Sequence, residues 1–74
     1  MELTSEERNA IASLKRLAKN WPQTLWLFAT GSNLSVMRVD EDGRRVYLDG
    51  PRGGVDPDYE VDSIPGIPND GGDW

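Results

Sequence analysis

Four carboxylates at alternate positions, Asp56, Asp58, Glu60 and Asp62, form the most regular array of chemically capable groups in the chain. On one side of an extended segment they would stand about 6.7 Å apart. That is a row of negative charge loosely like successive phosphates of a nucleic-acid strand, suited to the basic groove of a nucleic-acid-binding protein. The competing reading is a solvated acidic edge that discourages strand-to-strand aggregation. The same alternation opens a calcium loop, but its sixth position is Val61 instead of Gly and its twelfth is Ile67 instead of Glu. No metal site is expected from it. Asp40-Glu41-Asp42-Gly43 is better explained by turn geometry, and Asn69-Asp70-Gly71-Gly72-Asp73 by a polar loop.

A second set of groups suits stacking and phosphate binding. Trp26, Phe28, Tyr47 and Trp74 offer aromatic faces, and Arg38, Arg44, Arg45 and Arg52 offer guanidinium forks. In a homo-oligomer they would surround a nucleotide-like ligand without acting on it. The competing reading of the aromatics is core and interface packing.

Catalysis has little to work with. The chain contains neither histidine nor cysteine, which removes the usual general base and the Ser-His and Cys-His nucleophile arrangements. Paired carboxylates hydrolyse glycosides only across a cleft that holds them at fixed separation, and 74 residues leave little room for one. No glycine motif follows a strand and opens a helix to cradle phosphate. A protein that is not an enzyme and carries no cofactor is expected.

The elements that position these groups emerge from pattern. Leu3-Thr4-Ser5-Glu6-Glu7 reads as a capping box, with Thr4 and Glu7 satisfying each other's amides. Ile11, Leu14, Ala18 and Trp21, widened by Ala10 and Leu17, make one apolar stripe at helical spacing. Pro22 disfavours helical geometry at Trp21, so a helix over about residues 5–20 is expected. Its other face carries Arg8, Lys15, Arg16 and Lys19, which reads as an ordinary solvated face. Gly31-Ser32 is a two-residue hairpin turn, and Asp40 to Gly43 a three-residue hairpin loop. These turns predict strands over about 24–30, 34–40 and 44–49, with Leu27 opposite Val36 and Val36 opposite Leu48.

That register sorts the side chains. Leu25, Leu27, Ala29, Leu34, Val36, Val46 and Leu48 share an aliphatic face; Trp26, Phe28, Met37, Val39 and Tyr47 share an aromatic one. The helix stripe is expected on the aliphatic face, in an α+β fold of one N-terminal helix on a three-stranded antiparallel meander, order α-β-β-β. The aromatic face then needs a cover: the tail, a second copy in a homodimer, or another protein. The tail, residues 50–74, is rich in Pro and Gly and acidic. A short edge strand near 58–63 fits its alternation, because prolines flank it.

Charge is unevenly spread. Residues 1–37 carry three acids against four bases, a net +1, and residues 38–74 carry ten acids against four arginines, a net −6, giving the overall −5. Such a balance disfavours direct contact with nucleic acid or an anionic membrane and favours a basic protein surface. The missing cysteine pairs and the lack of an N-terminal apolar run point to the cytoplasm. The leading functional expectation is a non-enzymatic binding protein that docks on and inhibits a macromolecular partner, of the phage-type anti-defence or accessory kind. Trp26, Phe28, Tyr47, Asp56, Asp58, Glu60 and Asp62 are its candidate contact residues. The alternative is the homo-oligomer that sequesters a nucleotide-like ligand through Arg44, Arg45 and Trp74.

Overall fold

A 15-residue helix, α1 (Ser5–Lys19), opens the structure, a computed structural model that describes residues 1–49 and 53–71. Its start is the expected capping box: the Glu7 amide donates to Thr4 Oγ1 at 3.1 Å and the Thr4 amide to Glu7 Oε1 at 2.7 Å. Asn20 caps the other end, just before the Trp21-Pro22 pair that cannot continue it. Two strands come next, β1 (Leu25–Ala29) and β2 (Asn33–Arg38), joined through Gly31-Ser32. Gly31 has φ +98°, a conformation a side chain would strain. The predicted register holds, with Leu27 opposite Val36.

The third strand comes from elsewhere in the chain. The loop at Asp40 closes as expected: the Asp40 amide donates to the Arg44 carbonyl at 2.8 Å, and Asp40 Oδ1 accepts from the amides of Asp42 and Arg44. The chain does not then return along β2. Residues 44–49, expected as a strand, leave the sheet and form only an isolated bridge, Tyr47 with Val55. The free side of β2 is taken by β3 (Glu60–Pro65), with Leu34 opposite Ile64 and Val36 opposite Asp62 in place of Leu48. The sheet is antiparallel, in the order β1-β2-β3, so the fold is α+β with elements α-β-β-β. The alternation read near 58–63 as an edge strand thus supplies the third strand, shifted toward the C-terminus.

The reason for the exchange lies on the aromatic face. Leaving the sheet plane carries Arg45 and Tyr47 over Trp26, at 4.8 Å and 5.8 Å from its ring centroid. A strand in the plane of β2 could not cover that face. Among the described residues the buried ones are Trp26, Met37 and Ser35, and Met37 is fully buried. All three lie at cross-strand or alternate positions of the face expected to stay open. The Trp26 Nε1 is buried without a hydrogen-bond partner among the described residues, a cost of about 1–3 kcal/mol that ring packing must exceed.

The aliphatic face, expected to hold the helix, is the more open one: Leu27 is 45% exposed and Ile64 38%. No residue of α1 is buried, and Leu14 is 65% exposed. The helix projects. The radius of gyration is 14.7 Å, against about 11 Å for a compact chain of this length, and the long axis reaches 45 Å. Trp21 fastens the helix end, its indole N–H donating to the Leu25 carbonyl at 2.8 Å.

Asn69 fastens the tail. Its Oδ1 accepts from the amides of Gly31 and Gly71, and its Nδ2 donates to the carbonyls of Asn33 and Ile67. One side chain thereby pins the segment after β3 to the β1–β2 turn.

The assignment of the core predicts unequal costs. Met37→Ala should lose about 2–5 kcal/mol of unfolding free energy, while Leu48→Ala, at a residue 45% exposed, should lose less than about 1 kcal/mol. Chemical denaturation measures both; equal losses would place the core on the aliphatic face. Asn69→Ala should speed hydrogen exchange at the Gly31 amide by about tenfold or more, and unchanged exchange would show that the clamp does not hold in solution.

Candidate functional site

The acidic array is built differently from an extended row. Asp56 caps a short 3-10 helix, Pro57–Tyr59, its Oδ1 accepting from the Asp58 amide at 3.0 Å. A proline with its φ preset and a capping aspartate favour that turn over extended chain. Beyond it, Glu60 stands opposite Met37 and Asp62 opposite Val36, so Val61 is an extra residue, a bulge that breaks the alternation. The evenly spaced row of Asp56, Asp58, Glu60 and Asp62 is therefore not formed. What remains is an exposed acidic edge: all six residues of β3 are exposed, and Asp58 precedes them.

Asp58 also lines a cleft of about 420 Å³ with Arg38, Val39, Asp40, Glu41, Tyr59 and Val61. Three carboxylates face one guanidinium there. Asp40 is committed to its turn, whereas Glu41, Asp58 and Glu60 have no side-chain partner among the described residues. Their carboxylates are free to receive cationic groups. No group of three acids close enough to hold a metal ion occurs among the described residues.

The aromatic residues assemble, but inward. Trp26 packs edge-on against Phe28, with ring centroids 6.4 Å apart and planes at 78°, and beneath Tyr47 and Arg45. At 8% exposure Trp26 is core, although with Arg45 it still lines the groove of about 630 Å³ beside α1. Phe28 and Tyr47, 36% and 54% exposed, remain at the surface. Arg45 is occupied by Trp26, Arg44 sits in the exposed turn, and the expectation for Trp74 falls outside the described residues. Among the described residues, the guanidinium of Arg45 lies over Trp26 and that of Arg44 stands apart in the turn, so the two arginines do not converge on one aromatic face.

Two positioning residues are not evident from the sequence. Trp21 fits the helix stripe by its spacing and serves instead as the clasp on Leu25. Asn69 lies in a run typical of turns, where a side chain that bonds backbone is common, but its partner 38 positions away leaves no local trace. A wider groove, about 630 Å³, lies between α1 and β1, with Leu14, Leu17, Trp21, Leu25 and Leu27 among its lining residues.

No protein-family model matches this chain, and neither the curated proteins nor the solved structures contain a match to it. Among the described residues, no helix is long and apolar enough to cross a membrane.

If Arg45 is held by Trp26 and not reserved for a ligand, Arg45→Ala should cost about 0.5–1 kcal/mol and Arg44→Ala less than about 0.5 kcal/mol. Thermal unfolding monitored by tryptophan fluorescence compares them, and equal effects would count against the stacking.

Proposed function

We propose that this chain is a non-enzymatic binding protein that docks its acidic edge on a basic surface of a macromolecular partner and blocks it. A phage-type anti-defence or accessory factor that occupies a nucleic-acid-binding surface would act in this way. The observation that carries the reading is the edge itself: β3 is exposed along its whole length and bears Glu60 and Asp62, beside a cleft whose Glu41 and Asp58 are unpaired among the described residues. Unpaired carboxylates keep their hydration until a lysine or arginine replaces it, and their common field steers a basic surface toward them. The partner reads a patch of negative charge, since the even phosphate-like spacing is lost at the 3-10 turn and the bulge. Sequestration of a nucleotide-like ligand by a homo-oligomer has less support, because Arg45 and Trp26 already satisfy each other.

The test is the combined variant Asp58→Asn, Glu60→Gln, Asp62→Asn, compared with the native chain in affinity capture from a bacterial lysate. The native chain should retain a basic nucleic-acid-binding protein in a salt-sensitive way, and the variant should lose at least about tenfold of it. Equal capture by both would overturn the reading.

A further inference from the structure

We propose that the free edge of β1 pairs with the same edge of a second copy, making a two-fold dimer with one continuous six-stranded sheet. The hairpin sets the hydrogen-bonding directions. The Val39 amide donates to the Thr24 carbonyl and the Thr30 amide to the Asn33 carbonyl, so even-numbered residues of β1 bond inward to β2. Leu25, Leu27 and Ala29 therefore present their amides and carbonyls outward. Those of Leu25 are already used, by the Pro22 carbonyl and the Trp21 indole. The amides and carbonyls of Leu27 and Ala29 have no partner among the described residues.

Four free groups on two alternate residues select one register. Placing Leu27 opposite Ala29 of the second copy, and Ala29 opposite its Leu27, satisfies all four in both chains. The two-fold axis then passes by Phe28, which meets its own counterpart in a non-hydrogen-bonded pair at about 4.5 Å between Cα atoms. A register one pair to either side meets groups already taken, at Leu25 or at Gly31, whose amide donates to Asn69.

The two edges of the sheet are treated in opposite ways. On β3 the outward Ser63 amide is taken by Asp62 Oδ1 at 2.8 Å, Pro65 has no amide hydrogen, and a bulge and two acids complete a blunted edge. On β1 none of these devices is present. Residues 20–37 contain no charged side chain, in a chain with 28% charged residues and a net charge of −5. A two-fold contact sets groups near its axis against their own copies, so in an acidic chain a neutral surface around that axis avoids like-charge repulsion. The groove between α1 and β1, where Leu14, Leu17 and Leu25 stand with Gln23 and Arg45, lies beside the same edge, where the partner's uncharged Thr30-Gly31-Ser32 turn would approach.

Sedimentation equilibrium of the native chain, from about 10 µM to about 1 mM, tests the proposal. The mass should approach twice 8.2 kDa, and the dissociation constant should change less than about threefold between 0.05 and 0.5 M salt. Ala29→Pro, which removes an outward donor, and Leu27→Lys, which charges the edge, should each give a monomer. On the native chain itself, amide exchange at Leu27 and Ala29 should slow as concentration rises. A mass of 8.2 kDa throughout, a folded variant that still dimerises, or exchange at those amides independent of concentration would each overturn it.

Discussion

The burial of Trp26 is the constraint on which the rest of the structure depends. Its ring is the largest apolar group on the sheet's buried face, and Leu14, Leu17 and Ala18 of the helix meet it only across a groove. The chain covers it instead with its own residues 44–48, laying a guanidinium and a phenol ring across the indole. Cation–π and tilted aromatic contacts add about 0.5–1.5 kcal/mol each beyond the apolar area removed from water. That placement leaves the second side of β2 to β3, while the helix buries none of its own residues and the aliphatic face stays partly open.

The order of elements and the first hairpin are legible in the sequence because their signals are local. A capping box, a Gly-Ser turn and strict alternation each involve residues within a few positions of one another. The Asp40 to Gly43 loop is equally local and forms as expected, yet it misleads, because a hairpin loop fixes the turn and not the path of the chain beyond it. The choice between residues 44–49 and 60–65 for the side of β2 depends on which segment better covers Trp26, a long-range comparison that local pattern does not contain. The same limit explains Asn69, whose amide bridges two distant segments. Among the candidate contact residues, Glu60 and Asp62 are exposed as the sequence suggests. Asp56 is spent on a helix cap, and Trp26 is spent on the core.

The two sheet edges divide the surface by chemistry. The β3 edge is acidic, exposed and internally blunted, features that disfavour strand pairing. The β1 edge is neutral and apolar, and its Leu27 and Ala29 backbone groups have no partner among the described residues. A dimer built on β1 would leave the acidic edges at the two outer ends of one sheet, so self-association and the docking of a basic partner do not compete for surface. It would also place the groove lined by Leu14 and Leu17 beside the contact, where the helix stripe gains a neighbour that the isolated chain lacks.

The most direct test of this arrangement is the cross-strand neighbour of Val36, read by nuclear Overhauser spectroscopy on labelled protein. The account predicts contacts between the backbones of Val36 and Asp62, together with contacts from the Trp26 ring to Tyr47 and the Arg45 side chain. Contacts between Val36 and Leu48, with none to Asp62, would restore the simple meander, return the aromatic face to solvent and contradict the account.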